Sequence, residues 1–130
     1  MPKMELSPND ERQLYDAGYL LLSKGKFQAA REVFEGLAAM APAKALPHTF
    51  LGNTYFAELN FDRAIDEHRK ALELEPEHTL SMAHLGEALL AAKKKDEALT
   101  TLRKVMKMDP NGASGRMAKS LLDAVDQGAL

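Results

Sequence analysis

An all-α fold of stacked helix pairs is predicted by two observations. Pro42, Pro76 and Pro110 lie 34 residues apart, Gly18, Gly52 and Gly86 keep the same spacing, and so do Ala30, Ala64 and Ala98. Three kinds of marker holding one period without an insertion mean that a single structural unit is repeated. Between the markers, apolar residues recur at the three-four step of a helix face. Composition agrees, with 6% aromatic residues, no Trp, and many Ala, Leu, Lys, Glu and Met, which lose little rotamer freedom in a helix.

The first helix is expected to start near Pro8. Ser7 is a capping residue, Pro8 suits the first helical position, and Asp10 puts a carboxylate where the helix dipole favours it. Leu14, Ala17, Gly18, Leu21 and Leu22 form its apolar face, and Ser23-Lys24-Gly25-Lys26 ends it, with Gly25 able to take the left-handed conformation. Phe27, Ala30, Val33, Phe34 and Leu37 mark the second helix of the pair. The second unit runs Leu51, Gly52, Tyr55, then Phe61, Ala64, Ile65, Ala71, Leu72; the third runs Met82, Leu85, Gly86, Leu89, then Ala98, Leu99, Leu102, Val105.

Each proline closes a unit, because it cannot continue a helix and it biases Ala41, Glu75 and Asp109 away from helical geometry. The marker Gly on the first helix and Ala on the second are expected to face each other and permit close approach. Beyond Pro110 lies one more amphipathic run, Met117, Leu121, Leu122 and Val125, with Arg116, Lys119, Asp123 and Asp126 on its other side. A stack of helix pairs leaves its last apolar face bare, and a lone helix with a polar outer side would cover it. One domain over 1–130 is expected, with units at about 11–44, 45–78 and 79–112, a capping helix at about 113–126, and fraying at 1–6 and 127–130.

Composition also excludes functions. With 17 Lys+Arg against 19 Asp+Glu the formal charge is −2, which argues against nucleic acid as the main ligand. No Cys means no thiolate metal site and no Cys nucleophile. No apolar run approaches the roughly 18 residues that would span a bilayer. Met1-Pro2-Lys3-Met4-Glu5-Leu6 has no apolar leader core, so a cytoplasmic location is expected, with no membrane partner. Phosphate-cradling glycine loops and serine nucleophile elbows are missing, so neither an enzyme nor a cofactor is expected. His84 and Glu87, three apart, could meet His48 or Asn53 in space and ligate a metal. Solvated histidines are the ordinary outcome of such spacing, and His68 and His78 suggest less still. Lys93-Lys94-Lys95 falls in a turn and is expected to be an ordinary solvated loop, while Arg103, Lys104 and Lys107 make the second helix of the third unit mildly basic.

A 34-residue helix-turn-helix unit with these glycines, alanines and closing prolines resembles the tetratricopeptide repeat, over residues 11 to 110 and the cap. The resemblance implies a right-handed superhelix of three repeats plus a capping helix, acting as a binding scaffold without catalytic residues. His48 and His68 stand where the repeat usually has a larger apolar residue, and Leu37 where a small one is usual. The first unit, Leu14-Tyr15-Asp16-Ala17-Gly18-Tyr19 with Gly25-Lys26-Phe27 and Val33-Phe34, is similar to the opening repeat of small type III secretion chaperones that hold hydrophobic translocator proteins. Those usually carry an extra amino-terminal helix region that is not found here.

The family's groove positions transfer to Arg12, Tyr15, Tyr19 and Leu22, to Leu46, Thr49, Asn53 and Phe56, and to Leu80, Ala83, Glu87 and Leu90, with Met117 and Leu121 as an extension. Leu22, Phe56 and Leu90 could equally pack between helices. Apolar surface with single polar handles suits a peptide groove. Repeats that grip the carboxylate tail of a heat-shock protein need Lys, Asn and Arg. Only Asn53 matches, since Tyr15, Tyr19, Leu80 and His84 fill the other places, so a carboxylate pair would go unneutralised. The expected function is a protein-protein interaction module or small chaperone holding an apolar segment of another protein, as a monomer or weak homo-oligomer. The alternative is a structural or assembly subunit that self-associates.

Overall fold

The computed structural model describes residues 6–130 and is helical throughout, with seven helices and no strand among them. In chain order they are α1 (Pro8–Ser23), α2 (Phe27–Met40), α3 (Leu46–Ala57), α4 (Phe61–Leu74), α5 (Thr79–Ala91), α6 (Lys95–Met108) and α7 (Ala113–Asp126). The Ser7 hydroxyl starts α1 by accepting from the Asp10 N–H at 3.1 Å. Two further caps carry no obvious sequence signal beyond residue type. Asn60 accepts from the Arg63 N–H at 3.3 Å, and the His78 ring accepts from the Ser81 N–H at 3.3 Å.

Helix ends fall into two alternating kinds. α2, α4 and α6 stop at Ala41, Glu75 and Asp109, whose φ of −133°, −136° and −139° is the extended backbone that a following proline enforces. α1, α3, α5 and α7 end instead on a residue in the left-handed region: Gly25, Leu59, Lys93 and Gly128, with φ between 64° and 75°. In each, the next N–H reaches back five residues. Lys26 donates to the Leu21 carbonyl, Asn60 to Tyr55, Lys94 to Leu89 and Ala129 to Ala124, at 2.8–2.9 Å. Residues 127–129 are therefore a hydrogen-bonded helix terminus rather than the frayed tail expected of them. Of the expected amino-terminal fraying, 1–5 lie outside the described residues, and Leu6 packs half-buried against the core of the first pair.

Each helix packs on its chain neighbour, and in addition α3 packs on α5 and α5 on α7. First helices of successive pairs thus form one layer and second helices the other, with α7 standing where a fourth first helix would be. Three apolar clusters run through the stack. Ala30, Phe34, Leu37 and Leu51 join the first two units; Ala64, Ile65, Leu85, Leu89 and Ala98 join the second and third; Met82, Leu102, Val105 and Ala118 join the third to the cap.

The close approach of paired helices corrects one expectation. A Cβ on Gly18 would fall 2.5 Å from the Phe34 ring and one on Gly52 2.6 Å from the His68 ring, and one on Gly86 would overlap Leu102. The glycines therefore admit the large side chain at positions 34, 68 and 102, not the small alanines. Those alanines are fully buried elsewhere in the clusters.

Met117, Leu121 and Leu122 of α7 cover Leu102 and Val105, while Arg116, Lys119, Asp123 and Asp126 face solvent. Truncation after Pro110 is expected to bare that surface and give a chain whose apparent mass in light scattering rises with concentration. A truncated chain that stayed monomeric and melted cooperatively would show α7 to be dispensable.

Candidate peptide-binding groove

Most of the expected groove residues lie on the inner layer, α1, α3 and α5, but the packing of those helices on one another removes some from reach. Arg12, Tyr15 and Leu46 come together around a cleft of about 330 Å³, completed by Pro8, Glu11 and Phe50. Phe50 was not expected there. It lies one helical turn after Leu46, and its ring packs at a tilt against Tyr15 (centroids 5.2 Å) and the buried Phe34 (5.0 Å). Tyr15 is half-buried. Its hydroxyl is shielded from solvent and makes no protein hydrogen bond, and burial, reinforced by the Glu11 carboxylate, pushes the phenol well above its ordinary range.

Further along the layer, Tyr19 is 61% exposed and Leu80 36% exposed. Asn53 and Glu87 are half-buried, Glu87 lying 3.5 Å from the His84 ring nitrogen. Leu22 packs against the first cluster, and Phe56 meets the Phe61 ring at a tilt, centroids 5.2 Å apart, while packing against the second. Leu90 wedges between the second cluster and the third, and Met117 and Leu121 lie on the third. These side chains are half-buried, so their main contacts are with neighbouring helices.

Two expected groove residues are corrected outright. Thr49 and Ala83 are fully buried, Thr49 at the seam of α3 with α5 and Ala83 in the third cluster with Leu102, Val105 and Ala118. The Thr49 hydroxyl is hydrogen-bonded to that of Ser81 at 2.5 Å, and Ser81 in turn lies 2.6 Å from the His78 ring. This chain of polar groups is satisfied inside the protein and is out of a peptide's reach.

The histidines do not assemble as the spacing suggested. His48 pairs with Glu67 at 2.8 Å. His84 stacks instead on His68, with ring centroids 5.8 Å apart and planes 14° from parallel. Among the described residues, no three His, Asp or Glu side chains form a group that could hold a metal. His68 is the buried one of the four. Its position in the repeat, matching Phe34 and Leu102, is the signal that could have revealed it.

A two-layer stack of 34-residue helix pairs with an accessible inner layer defines a helical-repeat protein. The chain belongs to the tetratricopeptide repeat family, whose models match residues 15–66 and 55–122. No curated protein matches the sequence. Among solved structures it is similar to the Yersinia enterocolitica type III secretion translocator chaperone SycD, in its alternative dimer, at 22% identity over 97% of this chain and 98% of that one, TM-score 0.82. It is similar also to SycD in complex with a peptide of the translocator YopD (21% identity, 98% and 100% covered, TM-score 0.79). The first such domain of Spaghetti (RPAP3), bound to the HSP90 peptide SRMEEVD, is equally alike (21% identity, 97% and 98% covered, TM-score 0.79). At these identities the likeness is one of fold.

Proposed function

We propose that this chain is a protein-interaction module that takes an apolar segment of a partner along its inner layer. Arg12, Tyr15, Tyr19, Leu46, Phe50, Asn53, Leu80 and Glu87 would be the contact residues. The observation that carries this reading is the apolar cleft of Tyr15, Leu46 and Phe50, with Tyr19 exposed one turn beyond Tyr15 on the same helix. Tyr and Phe give large contact area for little lost side-chain freedom. The units would run at about 11–44, 45–78 and 79–112, and the free chain would be a monomer or a weak homo-oligomer without catalysis.

Within that class, the reading favoured here is a small cytoplasmic chaperone of the type III secretion kind, which keeps the captured segment soluble until it is handed on. Support comes from the resemblance of the first unit and from the likeness in fold to SycD along nearly the whole chain. An acidic carboxylate tail, the ligand of the Spaghetti domain, fits less well, since Tyr15, Tyr19, Leu80 and His84 offer no row of cations.

The test is a selection of phage-displayed ten-residue peptides on the purified full chain, followed by calorimetric titration of the winners. Apolar sequences are expected. Tyr19→Ala should weaken them by about 2 kcal/mol, some thirtyfold, while leaving the melting temperature nearly unchanged. Winners that bind Tyr19→Ala and Leu80→Ala as well as the parent would move binding off the inner layer. A selection that enriches nothing, from a chain whose mass grows with concentration, would favour a self-associating assembly subunit.

A further inference from the structure

The three turns within the helix pairs, at residues 24–26, 58–60 and 92–94, all fall on one edge of the stack. The helices of each pair are antiparallel, and like helices lie side by side. The first turn contributes Lys24 and Lys26, and the third contributes Lys93 and Lys94 with Lys95 opening α6; all are exposed, and none lies within 4 Å of a carboxylate among the described residues. Between them stands Leu59. It is 73% exposed, the most exposed large apolar residue among those described, and its φ is 64°.

Leu59 violates two local rules at once. A branched aliphatic residue in the left-handed region is strained; the equivalent positions are Gly25 in the first turn, which is not strained, and Lys93 in the third, which shares the conformation but is polar. Its side chain is also mostly outside the core, so the fold gains little from it. The backbone conformation closes α3 as it closes the other first helices, but the fold draws no such return from the exposed leucine side chain, and a large apolar group held in water without one points to function. Glu58 of the middle turn is held by Arg31 and Glu97 by Arg69, so Asp62 beside Leu59 and Asp96 beside Lys95 are the exposed carboxylates set against the five lysines at these turns, and the balance around Leu59 is positive. Neighbouring turns stand roughly one helix diameter apart, about 10 Å, close to a Debye length at physiological salt. Each flanking set of lysines therefore acts on the surface around Leu59 from its own side.

We infer that this turn edge docks on an anionic lipid bilayer, with the lysines against the headgroups and Leu59 inserted below them. A row of convex turn tips suits a flat surface better than an extended polypeptide, which needs a groove. The apolar residue standing at the centre of a cationic rim matches a bilayer's apolar interior beneath a negative surface. The arrangement departs from the ordinary solvated loop that the Lys93-Lys94-Lys95 run alone suggests. It rests on residues remote from the proposed peptide groove, so either proposal can fail without the other.

The full chain is to be sedimented with vesicles of phosphatidylcholine alone and with about one-third phosphatidylserine. Binding is expected only to the anionic vesicles and should fall as salt rises. Leu59→Gly should weaken it about tenfold, from the lost apolar insertion, while the melting temperature stays level or rises, since the strain is relieved. Lys94→Gln with Lys95→Gln should weaken it roughly twentyfold, and Arg103→Gln with Lys104→Gln on α6 should not. Failure to sediment with anionic vesicles, or binding indifferent to Leu59→Gly, would overturn the proposal. So would polyglutamate binding as tightly and with the same dependence on Leu59, which would make the edge a site for acidic chains.

Discussion

Gly52→Ala is expected to destabilise the protein by about 3 kcal/mol, and Gly36→Ala to stabilise it by about 0.5–1 kcal/mol, although both residues are helical. The difference lies in what a new Cβ meets. At Gly36, on the exposed face of α2, nothing lies within 4 Å, so alanine only removes glycine's excess unfolded-state freedom. At Gly52 the Cβ would lie 2.6 Å from two atoms of the His68 ring and 2.9 Å from a third. That ring is buried and cannot swing aside as an exposed side chain would. Either α3 and α4 separate, opening the cluster of Ala64, Ile65 and Leu85, or the ring leaves its rotamer; both costs are of the overpacking kind. Gly52→Leu should exceed about 4 kcal/mol and unfold the second unit. Urea unfolding followed by circular dichroism gives both values. Equal, small effects at positions 36 and 52 would mean that the helix pair is not held at this separation.

The contrast between those glycines shows what the sequence could and could not carry. Fold class and helix ends were legible because they depend on chain-local chemistry. The proline fixes its predecessor, Ser7 caps its own helix, Gly25 turns left-handed, and the 34-residue period multiplies each signal threefold. Leu59 and Lys93 share the conformation of Gly25 and were invisible in it, since a residue type that disfavours the left-handed region announces nothing. Contacts across helices depend on crossing geometry, which composition does not encode. Gly18 and Ala30 were a sensible pair, yet the side chain seated on Gly18 is Phe34, one helical turn on.

The candidate site divided along the same line. Residues on the solvent side of the inner layer, Arg12, Tyr19 and Leu80, emerged exposed. Thr49 and Ala83 are in the same layer but turned toward a neighbouring first helix, and burial claimed them. Their difference is a rotation of tens of degrees about a helix axis, which only the packing of α3 on α5 and of α5 on α7 decides.

That packing also sets the protein's expected response to acid. His68 is buried between Gly52 and the His84 ring, and desolvation, helped by that ring, lowers its pKa from 6.5 to about 3. The folded state therefore holds a neutral imidazole, which serves as an apolar ring where Phe34 and Leu102 serve in the other units. As pH falls below about 6.5 the unfolded chain takes up a proton there that the folded chain refuses until about 3. Stability should thus be complete above that window and decline through it, with a limiting slope of about 1.4 kcal/mol per pH unit from this one group and a total on the order of 4 kcal/mol. His68→Leu should remove that slope while leaving stability at pH 7 within about 1.5 kcal/mol of the parent, since leucine fills the same place beside Gly86 in the third unit. Urea midpoints of parent and variant at half-unit steps from pH 7.5 to 3.5 make the comparison, and the carboxylates common to both cancel in the difference. Parallel curves would mean that His68 is protonated in the folded state, and that the second unit holds a charge where the other two hold Phe34 and Leu102.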